Sequence, residues 1–243
     1  YTIYVPDDQL DDYAAALADA NGAAEHLQPS GKNAVIPPRE NTESWFAFDA
    51  STGAITGYKE YHAYVEFPET IGGTAVRTIS AKAFYADYTL YGIVLPEGLE
   101  AIEAGAFQSA SNLGYIAFPR TLRTIGDDAF FNVQASLIDW SEGLETIGAR
   151  AFMYDREPIL TLPSTVKAIG ESAFEGAQCQ ELYLGNMVES IGPRAFAKTS
   201  LTYMAFDLYA PIDIAADAFA ETHVADLDLP WDSTIANRDA YAA

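Results

Sequence analysis

Apolar residues along this chain recur in short alternating runs. Ile93-Val94-Leu95, Ile116-Ala117-Phe118, Leu160-Thr161-Leu162 and Leu227-Asp228-Leu229 each put two apolar side chains on one side of an extended segment. Such alternation predicts a short strand with one buried face. Pro96, Pro119, Pro163 and Pro230 follow these runs and remove the donor a longer strand would need. Ile138-Asp139-Trp140, Leu182-Tyr183-Leu184 and Met204-Ala205-Phe206 hold the same phase without the proline. Leu99, Leu122, Leu144, Val166 or Val188 comes next, three residues before an isoleucine, which is the spacing of a turn or helix. The isoleucine opens a six-residue phrase, seen as Ile125-Gly126-Asp127-Asp128-Ala129-Phe130 and again as Ile169-Gly170-Glu171-Ser172-Ala173-Phe174. Its closing aromatic residue falls at 84, 107, 130, 152, 174, 196, 219 and 241, always 22 or 23 residues apart. A period this regular predicts a solenoid of stacked coils.

Within one coil the glycine of the phrase is expected to permit a backbone reversal at low steric cost, leading into a single helical turn. The alanine marks a place where a larger side chain would hold neighbouring coils apart. The phenylalanine fills the space between coils, burying roughly 150–250 Å². A coil of this length cannot hide its own apolar face, so stability must come from its neighbours.

The combined pattern, Leu-x-x-Ile-x-Leu-Pro-x-x-Leu-x-x-Ile-Gly-x-x-Ala-Phe, resembles the BspA-type leucine-rich repeat of bacterial surface proteins. Residues 113–130 match it almost position by position, and the resemblance covers about residues 48–243. It implies a leucine-rich-repeat-like solenoid, strand-rich with short helical turns, with one parallel sheet of short strands. It also implies a secreted or surface-attached bacterial protein. It does not specify a ligand, because one fold hosts many functions.

The rest of the chain divides around the array. Residues 1–45 form an N-terminal segment. Tyr1 to Val5 reads as a strand stopped by Pro6. Asp7 or Asp8 caps a helix through Leu10, Tyr13 and Leu17 that stops at Asn21-Gly22. This piece either caps the array or ends a preceding one. Residues 28–44 read as loop. The solenoid domain occupies 46–243, with about seven clear repeats and a degenerate last one containing Trp231 and Tyr241. It opens with a hairpin, 45–48 turning at 49–53 into 54–58. An enlarged first coil then carries an added turn at Gly72-Gly73. The chain begins with tyrosine, which points to a processed form or a piece of a longer protein, with any leader or anchor outside it.

Composition narrows the function. The net charge is −22, from 13 basic and 35 acidic residues, which disfavours nucleic acid and anionic membrane as partners. The excess suits solubility outside the cell, and also suits a cationic partner or calcium. The single cysteine, Cys179, lies in the apolar column held by Leu90, Leu113 and Leu201; it reads as a buried small hydrophobe and permits no intrachain disulfide. No run reaches the ~18–20 apolar residues of a membrane span. His26, His62 and His223 share no metal-ligand spacing, no phosphate loop is present, and no cofactor is implied. The expectation is a noncatalytic protein.

The candidate binding surface follows from strand alternation, which sends the residues between the apolar pairs outward. One outward column runs Gly92, Tyr115, Leu137, Ile159, Glu181, Tyr203, Asp226. The next runs Val94, Ala117, Asp139, Thr161, Tyr183, Ala205, Asp228. Tyr115, Leu137, Asp139, Ile159, Glu181, Tyr183 and Tyr203 are the binding candidates, with the apolar and aromatic members forming an exposed patch of the kind that marks interaction sites. The expected function is a cell-surface or secreted module that binds a protein partner or mediates adhesion through this face. The alternatives are a glycan-binding module, with tyrosines stacking on sugars, and a structural spacer in a larger surface protein.

Overall fold

The computed structural model describes residues 42–206, 212–224 and 226–228. The strand and helix expected in the N-terminal segment, and the part of the last coil that carries Trp231 and Tyr241, lie outside these residues. The opening hairpin forms, but Thr42–Trp45, read as loop and the start of a strand, is helical. A 3-10 helix, Thr42–Trp45, leads into antiparallel strands Phe46–Asp49 and Ala54–Tyr58. At the corner the Asp49 carboxylate accepts the Ser51 amide at 2.9 Å and its hydroxyl at 2.7 Å. The added turn of the first coil is a second small hairpin, Thr70–Ile71 against Thr74–Ala75. Gly72 and Gly73 both have positive φ there, 58° and 80°, as a two-residue connection of this hand requires.

Each later coil follows one path. A strand of three or four residues lies on one side, then a turn with the leucine or valine, then a two-residue strand ending in the isoleucine. Turns around the phenylalanine close the coil. The isoleucine strands pair in parallel, Ile102 with Ile125, Ile125 with Ile147, Ile147 with Ile169 and Ile169 with Ile191. With the opening hairpin they make a nine-stranded sheet, an addition to the one sheet expected. The leucines stay in turns, as their spacing suggests, but their isoleucine partners do not.

The phenylalanines form a column. Phe84, Phe107, Phe130, Phe152, Phe174, Phe196 and Phe219 stack face to face with centroids 5.0–5.4 Å apart and planes within 11°. The backbone runs alongside as a ladder: Phe130 N–H donates to Ala151 O at 2.9 Å, Phe152 N–H to Ala173 O at 2.7 Å and Phe174 N–H to Ala195 O at 2.7 Å. The alanines before the rings from Phe107 to Phe219 are closed off from solvent, while Ala83 in the first coil is partly buried. Ion pairs also bridge coils, among them Arg150–Asp128 at 2.7 Å and Lys167–Glu145 at 2.7 Å. These pairs are partly exposed and screened by solvent, so they add little, whereas a fully buried phenylalanine contributes about 1.5–3 kcal/mol. The ring column therefore dominates the register.

Two local expectations are corrected. The phrase glycine is not the residue that reverses the chain. Gly126, Gly148, Gly170 and Gly192 are absent from the positive-φ residues. They are small because coils touch there: a Cβ on Gly170 would sit 2.6 Å from Ala149 N and 2.7 Å from Gly148 C. The reversal falls two residues later, on Asp128, Arg150, Ser172 and Arg194, with φ of 53–56°. A second left-handed residue follows each ring, as at Asn132, Tyr154 and Lys198. These paired reversals make stacked turns in place of the helical turn expected. The inter-coil backbone bonds hold non-glycine residues in a conformation that costs roughly 1–2 kcal/mol each.

Candidate functional site

The strands that carry the two columns pair in the expected register. Gly92 pairs with Tyr115 and Tyr115 with Leu137; Val94 pairs with Ala117 and Ala117 with Asp139. Further along, Ile159 pairs with Glu181 and Glu181 with Tyr203, while Thr161 pairs with Tyr183. Their inward neighbours Ile93, Ile116, Ile138, Leu160, Leu182 and Met204 are buried. The face is nevertheless not one sheet. Strands Tyr64–Glu66, Gly92–Val94, Tyr115–Ala117 and Leu137–Asp139 form one four-stranded sheet. Strands Ile159–Thr161, Glu181–Leu184, Tyr203–Phe206 and Asp226–Asp228 form another.

The break has a chemical cause. Leu137 N–H bonds back to Gly114 O at 3.2 Å, but Ile138 N–H is taken by Glu157 Oε1 at 3.3 Å. Trp140 Nε1–H donates to Glu157 Oε2 at 3.1 Å. A side chain has thus captured a donor on the last strand of the first sheet. Glu157 N–H in turn donates to Asp155 Oδ2 at 3.1 Å. Both acids are buried, and desolvation pushes their carboxyls up, Glu157 to about 7 and Asp155 to about 8, the latter aided by its charged neighbour. Cys179 is buried as expected, donates to Glu181 O at 3.1 Å, and has its thiol pushed up to about 12 by burial. It is an inert thiol in this setting.

The seven candidates separate into two groups. On the second sheet Tyr183 and Tyr203 are half-buried, with ring centroids 5.6 Å apart and planes at 49°. Tyr183 Oη–H donates to Glu181 Oε2 at 2.8 Å, fixing one ring. Ile159 is 51% exposed beside them on the edge strand. On the first sheet Leu137 is half-buried and Asp139 exposed, whereas Tyr115 is buried at 7% exposure, contrary to the exposed position expected. Its neighbour Gly92 contributes no side chain, and Tyr64 fills that space: a Cβ on Gly92 would lie 2.8 Å from the Tyr64 ring. Leu137 and Ile159 end different sheets and do not pair, so the patch expected as continuous is divided.

A cleft of about 220 Å³ lies on the first sheet. Val94 and Ala117 floor it, Glu66 and Asp139 flank them in register, and Glu69 and Glu97 approach from the loops. Tyr115 and Phe118 supply aromatic surface. Burial, and then the Asp139 charge, pushes the Tyr115 phenol up to about 12. Desolvation also raises Asp139. This cleft is the element that strand patterning alone did not find.

Among the described residues no three His, Cys, Asp or Glu side chains gather as a metal site. None of the helices there is long and apolar enough to cross a membrane.

Stacked coils of short strands around an aromatic column define a leucine-rich-repeat solenoid. The BspA type leucine-rich repeat region matches in six copies over residues 77–202 and 145–243, and the chain belongs to that family. Among solved structures it is similar to a leucine-rich repeat protein of T. pallidum, at 23% identity with a TM-score of 0.63, covering 73% of this chain and 86% of that one. It is also similar to a leucine-rich repeat protein of Bacteroides ovatus, at 23% identity with a TM-score of 0.59, covering 76% of this chain and 51% of that one. The chain thus spans about half the length of the second protein. At this identity the likeness concerns the fold. No curated protein matches significantly.

Proposed function

We propose that the chain is a noncatalytic recognition module of a bacterial surface or secreted protein, binding a protein partner across the open face of its two short-strand sheets. The observation that carries this reading is the tyrosine pair on the second sheet. Tyr183 and Tyr203 are half-exposed, in contact, and one is pinned by Glu181. Aromatic side chains held this way offer large contact area with little entropy left to lose, which is the character of interface hot spots. Family membership supports the extracellular setting, and the net charge of −22 suits it.

The test is a binding screen of the purified chain against extracellular host and bacterial proteins, with a glycan array in parallel. The expected result is a protein partner whose affinity falls by about 2 kcal/mol or more in Tyr183→Ala/Tyr203→Ala. Unchanged affinity in that variant removes the tyrosine pair from the interface, and saturable binding on the array alone assigns the face to sugars.

A further inference from the structure

The seam between the two sheets is wider than one lost hydrogen bond requires. Leu137–Asp139 and Ile159–Thr161 stand apart, most of their Cα atoms more than 8 Å from one another, whereas paired strands lie about 4.8 Å apart. Two residues of one repeat produce it. Gly114, Ser136, Gln180 and Thr202 each donate their amide to the coil before, at 2.8–3.1 Å. Pro158 stands in that place and has no N–H to give. Glu157 beside it takes the Ile138 amide and the Trp140 indole N–H. On the other side of the same coils Ile147 and Ile169 stay paired. The seam is therefore a local opening in one face, closed by a side chain.

The two acids at the seam differ in their bonding. Both Glu157 oxygens receive N–H groups, from Ile138 at 3.3 Å and Trp140 at 3.1 Å, which suits a carboxylate. Asp155 Oδ2 receives the Glu157 amide at 3.1 Å, but Oδ1 is buried and bonds nothing among the described residues. The Arg156 and Ala135 amides favour its charge without bonding that oxygen. Two buried carboxylates that feel each other's charge do not both ionise readily, so Asp155 is the member that keeps a proton, on Oδ1. Its column is otherwise held by Ala110, Val133, Ala177 and Thr199, and nothing in the stack calls for an acid there. The coil before contributes only N–H donors, from Ala135, Ile138 and Trp140. From the coil after, the Cys179 thiol faces the pair and stays neutral across the same range. Arg156 is exposed and forms no ion pair among the described residues.

We propose that the seam is a proton-operated latch: neutral Asp155 holds it shut, and loss of its proton to solvent expels the 155–157 segment and frees the strand edges on either side. Burial, and then the Glu157 charge, push the folded Asp155 carboxyl up to about 8, above its ordinary 3.8. The closed seam is thus favoured at low pH and weakens with each unit of rise until that carboxyl has ionised, near pH 8. Asp155 then sets a second charge against Glu157, with no cation paired to either among the described residues. The freed edge, Ile159–Thr161, belongs to the sheet that carries Tyr183 and Tyr203. Opening alters the rim of that face while the ring column holds the coils together, and it does not depend on what the face binds.

The test is hydrogen exchange on the whole chain, isotopically labelled, between about pH 5 and 9. Protection of the Ile138 amide and the Trp140 indole N–H is compared with that of the Gly148 and Gly170 amides, which bridge coils beside the unbroken sheet. Cys179, the only cysteine, gives a second probe in its rate of alkylation by iodoacetamide. That rate is read as the ratio of parent to Asp155→Asn, whose amide stands for the neutral acid, so the thiol's own ionisation cancels. The expected result is that Ile138 and Trp140 lose protection as pH rises while Gly148 and Gly170 keep theirs. The alkylation ratio should rise about tenfold per pH unit and level off above about pH 8, one proton being released per opening. Should Asp155→Asn lower the unfolding midpoint at pH 5, Asp155→Ala, which restores the residue of the neighbouring coils, serves as the uncharged reference. Protection at Ile138 and Trp140 that tracks Gly148 and Gly170 at every pH overturns the proposal, and so does a flat alkylation ratio. Loss of protection at all four sites together also overturns it, since that is unfolding of the array and not opening of the seam.

Discussion

Replacing Gly170 by alanine isolates the reason for the glycine in every coil. The added methyl would lie 2.6 Å from Ala149 N, 2.7 Å from Gly148 C and 3.0 Å from Ala149 Cα, roughly 1 Å short of the ~3.5 Å optimum for such contacts. All three obstacles are backbone atoms, so no side chain can rotate away. The coils cannot slide apart cheaply either, because Gly170 N–H is bonded to Ile147 O at 2.8 Å and Phe152 N–H to Ala173 O at 2.7 Å. Overpacking of this kind costs about 1–3 kcal/mol, against a gain of about 0.4–1 kcal/mol from a stiffer unfolded chain. The expected net is about 1–2 kcal/mol of destabilisation, or roughly 2–8 °C in Tm for a chain of this size. Gly170→Asn supplies the discriminating arm. Asparagine tolerates left-handed backbone better than alanine, so a glycine needed for its φ would be replaced better by asparagine. A glycine needed for its size would be replaced worse. The structure predicts asparagine to be the worse of the two, measured by denaturant midpoints from far-UV circular dichroism. An alanine variant as stable as the parent, or an asparagine variant more stable than the alanine one, would refute the contact argument.

Three further outcomes follow from the same geometry. Phe152→Ala removes a ring stacked on Phe130 at 5.1 Å and Phe174 at 5.4 Å and should cost about 3–5 kcal/mol; an unchanged unfolding midpoint would contradict its place in the column. The pair Phe130→Ala/Phe152→Ala should depart from additivity by about 0.5–3 kcal/mol, whereas Phe107→Ala/Phe174→Ala, which are not in ring contact, should add within about 0.5 kcal/mol. The buried acids make stability fall with rising pH: their folded values, about 7 for Glu157 and about 8 for Asp155, lie above the ordinary 4.5 and 3.8. The native state therefore holds more protons than the unfolded one, and the stabilisation present below about pH 4 is lost as pH climbs through 7 and 8. Asp155→Asn/Glu157→Gln should flatten the fall in Tm between pH 5 and 9; an identical slope in parent and variant would rule these carboxyls out as its source.

The solenoid was legible because its cause is periodic. Phe84 through Phe219 had to stack once their spacing was recognised, and the Asp49–Gly53 and Gly72-Gly73 turns carry local chemistry that needs no tertiary context. The left-handed residues were not legible, since Arg150 and Ser172 share no side-chain property and are held by bonds to the next coil. Gly170 was visible, but its role was misassigned, because freedom of backbone and absence of Cβ look alike in a sequence. The sheet break had a signal. Glu157 stands in the column of Leu90, Leu113, Ala135, Cys179 and Leu201, and a carboxylate between small neighbours is an anomaly in such a column. The acidic cleft had only half of one: Asp139 was readable as outward, but the 7% exposure of Tyr115 is set by neighbouring coils and not by strand alternation.

The seam at Glu157 interrupts the face while the ring column and the nine-stranded sheet pass it unbroken. A duplication or loss of one 22-residue unit there would move the tyrosine pair relative to the acidic cleft by one rung, about 4.8 Å, and leave both intact. The molecule is in this sense a ruler: the distance between two surface features is counted in coils and can change in whole steps without redesigning either one.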